Sequence, residues 1–172
     1  MYKQFIKKIA SPIIIAFLVA LPNAMAAKID IDQEIIIKAN RQEGDLKNKI
    51  ASYLDDVSIT QGSLTILADV VQVLSQADND NKVYIAKGNP AKFQQLLEDG
   101  SPINLQANEI RYEPALHTIT ISGKALLSQA GSEVSGSKIT YNTQTEKLAA
   151  ESNQNEAVVT ILKPRKKNEK QK

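Results

Sequence analysis

At 172 residues, 42% hydrophobic and 23% charged, the chain has the length of one domain and enough apolar side chains for a core. With no Cys and one His, it excludes a disulfide scaffold and thiolate metal sites, and argues against a zinc centre or a His-based nucleophilic triad. The formal net charge of +2 is unevenly spread, so it does not by itself announce an anionic partner.

The N-terminus has the pattern of a secretory signal. Lys3, Lys7 and Lys8 precede the apolar run Ile13 to Leu21, and Ala24-Met25-Ala26 supplies a small-x-small cleavage motif. The apolar run is shorter than the roughly 20 residues a bilayer span needs. We therefore divide the chain into a cleaved signal over 1–26, a folded domain over 27–162 and a basic tail over 163–172. The tail holds six bases and one acid, and 27–162 holds 12 bases and 18 acids. The basic charge belongs to the two ends, and the domain itself is acidic. The tail is expected to stay disordered and solvated.

In chain order, alternating apolar and polar residues predict strands at Ile29-Asp30-Ile31-Asp32, Val57-Ser58-Ile59-Thr60, Leu64 to Ala68, Ile110 to Tyr112 and Thr118 to Ser122. Turn signals fall at Gln61-Gly62, Gly88-Asn89-Pro90, Asp99-Gly100, Ser122-Gly123 and Gly131-Ser132. Leu46 to Val57 and Ala91 to Leu97 also fit helical spacing. An internal repeat decides between the two. Sliding the chain along itself without gaps, so that Ile35 falls on Ile103, also aligns Ile37 with Leu105, Ala39-Asn40 with Ala107-Asn108, Asp55 with Gly123, Val71 with Ile139 and Val73 with Tyr141. The partner of the first ambiguous stretch is a strand, so that stretch is read as strand too. Half-repeats begin near Asp55, Gly88, Gly123 and Asn155, at nearly even spacing. Each is read as a turn dipeptide that starts a strand. The result is an all-β fold of four ~33-residue repeats.

The inward positions of these strands are Ile35, Ile37, Ile59, Ile66, Phe93, Tyr112, Ile121, Leu127 and Val134. They form an ordinary core if the sheets meet and line an apolar groove if they stand apart. His117, next to Pro114, reads as an exposed turn residue. Asp78-Asn79-Asp80-Asn81 lacks the downstream Glu of a calcium loop and reads as a hairpin tip. Aromatics at 5% with no Trp are too sparse for sugar or single-stranded nucleic-acid platforms. No convergent carboxylates are evident, so an enzyme is not expected, and no cofactor or metal is implied.

The patterns Ile37-x-Ala39-Asn40, Val57-x-Ile59-x-Gln61-Gly62, Ala68-Asp69-x-Val71-x-Val73 and Lys87-Gly88-Asn89-Pro90-Ala91-x-Phe93 resemble the OstA-like family across about 28–163. The sequence departs from the family at Asp55-Asp56, where Gly-Asn is usual. The resemblance implies one slightly twisted antiparallel β-jellyroll, open at both ends. It implies a periplasmic protein that binds lipopolysaccharide through its lipid A acyl chains and stacks head to tail into a bridge from inner to outer membrane. The implied partners are LptC at the inner membrane, the N-terminal domain of LptD at the outer membrane, and further copies of the chain itself. Ile35, Ile37, Phe93 and Tyr112 match groove-lining positions of the family. The assembly edges would be strands carrying Ile29, Ile31 and Ile35 at one end and Val159 and Ile161 at the other. An LptC-like membrane-anchored member and a ligand-free structural β-filament remain as alternatives.

Overall fold

The structure is a computed structural model and describes residues 30–75, 81–153 and 156–163. The segment expected to be a signal, Ile29, Asp78 to Asp80 of the expected hairpin tip, Asn155 and the expected tail beyond 163 lie outside the described residues. A 3-10 turn at Asp30–Asp32 precedes β1 (Ile36–Lys38), β2 (Arg41–Asp45), β3 (Ile50–Gln61), β4 (Leu64–Ser75) and β5 (Lys82–Leu96). Then follow β6 (Pro102–Glu113), a 3-10 turn at Pro114–Leu116, β7 (Thr118–Gln129), β8 (Ser132–Asn142), β9 (Leu148–Glu151) and β10 (Val159–Ile161).

All pairings are antiparallel, in the order β1-β3-β4-β5-β6-β7-β8-β10, with β2 also on β3 and β9 also on β8. The strands β3 to β8 are 11 to 15 residues long, and each is interrupted near its middle. The ladder shifts register at Leu54/Val57, Leu67/Val70, Lys87/Ala91, Gln106/Glu109 and Ser122/Ala125. Extra residues on one strand bend it and add twist. Because these bulges line up from strand to strand, they fold one sheet back on itself into a roll with two facing halves. The upper half contains β1, β10 and the segments 57–61, 64–68, 91–96, 102–106, 125–129 and 132–136. The lower half contains β2, β9 and the remaining segments.

The repeat is visible in this geometry. Asp55-Asp56 bulge opposite Asp69, and at the matching place in the second repeat Gly123-Lys124 bulge opposite Ser137. All four bulged residues have positive φ: 63° and 53° in the first pair, 75° and 56° in the second. The Asp-Asp departure therefore keeps the left-handed conformation that side chains other than Gly, Asn and Asp rarely adopt. Its neighbours hold it there. Arg41 Nε donates to Asp55 Oδ2 at 2.7 Å, Asn40 Nδ2 donates to Asp56 Oδ2 at 3.2 Å, and the Asn40 N–H donates to the Asp55 carbonyl at 3.1 Å. At the fold line the inner faces carry the small residues Ala91, Ala107 and Ala125, all within 1% of full burial, so the halves can approach closely.

Four expectations are corrected. The signals at Gly88-Asn89-Pro90 and Ser122-Gly123 are bends inside β5 and β7 and do not separate strands; Asn89-Pro90 is cis. Likewise Asp55 and Gly123 stand in mid-strand and do not begin one. Within the segment expected to alternate, Asp30–Asp32 form a 3-10 turn, because the Asp30 carboxylate is drawn onto the β3–β4 hairpin. His117 is half-buried, with φ 50° closing the second 3-10 turn. Its carbonyl accepts the Thr143 N–H at 2.8 Å.

Candidate ligand interior and sheet edges

Strand periodicity puts every second residue on the inner face, and the register carries that choice across the whole sheet. In the upper half, Ile37, Ile59, Ile66, Phe93, Leu105, Leu127 and Val134 pair in succession, ending at Thr160 on β10. Six of the nine expected inward residues lie in this one row. The lower half has two parallel rows. One runs Tyr53, Val71, Ala86, Ile110, Ile121, Ile139, Ala150, and the other Ala51, Val73, Tyr84, Tyr112, Ile119, Tyr141, Leu148. Ile121 and Tyr112 belong to these. Ile35 precedes β1 and packs on the same apolar cluster. The structure thus brings all nine together.

It does not hold the halves apart. Ile59 and Ile121 are fully buried, Ile66 and Phe93 are 1% exposed, and both halves contribute to a single cluster. The interior is filled by the chain's own side chains. A cavity of ≈260 Å³ lined by Thr65, Leu67, Lys92, Asn104 and Leu126, among others, opens mainly on outer-face residues. Leu105, Val71, Val73, Tyr84, Ile110, Ile119, Ile139 and Tyr141 are inner residues absent from the expected set. The repeat alignment of Val71 with Ile139 and Val73 with Tyr141 was the signal for four of them.

Polar groups enter this interior at the open side of the roll, opposite the fold line. Gln61 is buried at 3% exposure. The Tyr112 hydroxyl donates to Gln61 Oε1 at 2.7 Å, joining the lower half to the upper, and Gln61 Nε2 donates to the Gln33 carbonyl at 3.1 Å. The Asp30 carboxylate accepts the Ser63 N–H at 2.8 Å, the Ser63 hydroxyl at 2.6 Å and Gln95 Nε2 at 3.0 Å. A side chain at Gly62 would collide with that carboxylate. Burial raises the hydroxyl pKa of Tyr112 far above the usual tyrosine range, with Tyr84 and Asp30 adding to the effect. Burial likewise pushes Tyr141 up to about 12, helped by Glu146, and raises Tyr84. Rings 84 and 112 lie 5.9 Å apart, tilted by 33°.

The two ends of the sheet are short edge strands. Val159 and Ile161 stand on β10, 50% and 58% exposed, and among the described residues β10 pairs on one side, with β8. At the other end the edge is β1, beginning at Ile36. Ile31 lies in the 3-10 turn and Ile35 before the strand, so the expected edge is shorter and displaced. Both ends carry apolar residues on the outer face, since Ile36 is 50% exposed.

Residues 36–147 match the family model described as LptA/(LptD N-terminal domain) LPS transport protein. The chain is 34% identical over 147 residues to the lipopolysaccharide export system protein LptA of Haemophilus influenzae, covering 84% of this chain and 86% of that one. It is 34% identical over 142 residues to LptA of Escherichia coli K12, covering 82% and 77%. The crystal structure of LptH, the LptA homologue of Pseudomonas aeruginosa, superposes with a TM-score of 0.72 at 24% identity, covering 80% of this chain and all of that one. That likeness extends to the open, antiparallel jellyroll. The chain belongs to the family of LptA and the LptD N-terminal domain.

Proposed function

We propose that this chain is a periplasmic carrier that takes lipopolysaccharide by its lipid A acyl chains between the two halves of the roll. The observation that carries this is the set of apolar rows running from one sheet edge to the other without a charged residue. An acyl chain lying along them would stay out of water over its full length. At about 0.8 kcal/mol per CH₂, a dozen carbons gain roughly 10 kcal/mol before ordering costs. The filled interior means that the halves must part as the acyl chains enter.

The same rows support head-to-tail stacking into a bridge between the membranes. β10 runs antiparallel to β1, so a translated second copy would continue the antiparallel ladder. In the outer row Ile36, Thr60, Thr65, Gln94, Asn104, Ser128, Glu133, Ile161, the exposed isoleucines stand at the two ends and would meet at the junction. In the lower half, an outer row starts at Arg41 and ends at Glu151, with Lys87–Glu109 and Lys138–Glu151 ion pairs at 3.5 and 3.4 Å along it. Stacking would set Glu151 beside the next copy's Arg41 and prolong this alternation of charge. LptC and the LptD N-terminal domain, built on the same module, would cap the two ends.

A photo-crosslinking residue at Ile37 or Phe93 should capture lipopolysaccharide, and one at outward Gln94 should not. Equal capture at all three, or none, overturns the carrier reading. The filled interior favours one second reading, a ligand-free β-filament. It predicts no capture, yet concentration-dependent scattering that vanishes on deleting 157–172.

A further inference from the structure

The roll is hinged along the fold line and open on the opposite side, where the hairpin tips of the two halves face each other. Near the N-terminal end that side is bridged. Tyr112 lies on β6, one residue from its end, in the lower half, and Gln61 ends β3 in the upper half; their 2.7 Å hydrogen bond crosses between them. Residues 30–35 lie over the same place as a strap. Asp30 fastens the strap to the β3–β4 turn and to β5 through Ser63 and Gln95. The Gln33 carbonyl fastens it to Gln61, and Ile35 packs on the core cluster. Clasp and strap share Gln61, so loosening one loosens the other.

The closure is also incompletely satisfied. Among the described residues, Gln33 Nε2 and Gln95 Oε1 are buried without a hydrogen-bond partner. Such atoms carry a desolvation penalty in the closed form, which opening to water removes. At this side the packed apolar rows are closed over by a few polar bonds, and the two orphaned groups oppose that closure.

We propose that the open side between β3 and β6 is the entrance to the interior, with the Tyr112–Gln61 bond and the Asp30 strap as its closure. This rests on the carrier reading for what enters, but not for the opening itself. Acyl chains pass when the strap lifts and the Tyr112 hydroxyl leaves Gln61. The peptide ladder stays intact, because the broken bonds are all made by side chains.

The chain has no cysteine of its own, and the Asp30 and Ser63 side chains are short and in direct contact. A double variant Asp30→Cys with Ser63→Cys can therefore lock the strap by a disulfide. Uptake of fluorescent lipid A should be at least tenfold slower in the oxidised form than in the same protein reduced, with matching circular dichroism. Tyr112→Phe should take up lipid A several-fold faster than the native chain. Without any lipid, Tyr112→Phe should speed hydrogen exchange at the Ser63 amide, which donates to Asp30 of the strap, and at the Leu96 amide, which donates to the Ser63 hydroxyl that Asp30 holds, while Ile121 and Ile139 keep their protection. Equal uptake by oxidised and reduced forms overturns the entrance. Exchange that rises uniformly through the core makes Tyr112 an ordinary core hydrogen bond and overturns the clasp. If no form takes up lipid A, the carrier reading fails, and the exchange pattern still decides the opening.

Discussion

Tyrosine hydroxyls are costly to ionise inside an apolar roll, and three of the five tyrosines are buried there. Tyr84, Tyr112 and Tyr141 all have raised pKa values with burial as the leading cause. The raised pKa means that above pH 10 the unfolded chain releases protons that the folded chain retains. The stabilisation is complete below pH 10 and declines as pH climbs from 10 towards 12. Thermal melts should give a constant Tm from pH 7 to 9 and a steep fall above 10; a Tm that holds to pH 12 would contradict this burial. Phe93, at the centre of the long inner row, tests packing alone. Phe93→Ala should cost about 3–5 kcal/mol in urea unfolding, whereas outward Gln94→Ala should change stability by less than about 0.5 kcal/mol.

At the scale of elements, the bends carry the architecture. Gly123 has φ 75° and packs so closely on Asn108 that a Cβ would lie 3.0 Å from its amide nitrogen. Gly123→Val should therefore destabilise by roughly 1–3 kcal/mol, through backbone strain and contact together. Arg41→Ala should act on the equivalent bend of the first repeat by removing the donor to Asp55; differential scanning calorimetry should show a smaller loss than for Gly123→Val. These bends also mark where sequence reading stopped. Alternation and the internal repeat placed the strands and their inner faces. Gly62 and Gly123 both follow a polar residue, and both have positive φ. One reverses the chain and the other only bends it, because the difference lies in pairing with neighbouring strands. The strand expected through Asp30–Asp32 failed for a related reason: Asp30 found its partners in Ser63 and Gln95, far along the chain, and that tertiary pull outweighed local propensity.

For the whole molecule, the question is how ends and interior work together. The nine inward residues were readable from periodicity, yet whether the halves touch is decided by bends that periodicity does not encode. The proposed stacking of copies makes a separate demand on the edges. Ile161→Asp should abolish concentration-dependent growth in light scattering while leaving the Tm of the dilute protein unchanged, because Ile161 is exposed and outside the core cluster. Scattering that persists in this variant and after removal of 157–172 would show that β10 is not the junction.

The aligned bulges have a mechanical consequence. Strand-to-strand hydrogen bonds run within each half, and the register breaks lie on one line between the halves. The roll can therefore yawn like a clamshell about that line without tearing its ladders, exchanging side-chain contacts for those of a guest. If copies stack edge to edge, their fold lines become collinear. A yawn started by cargo in one copy would then be felt as torsion by the next, so neighbouring units would open in sequence along a shared spine.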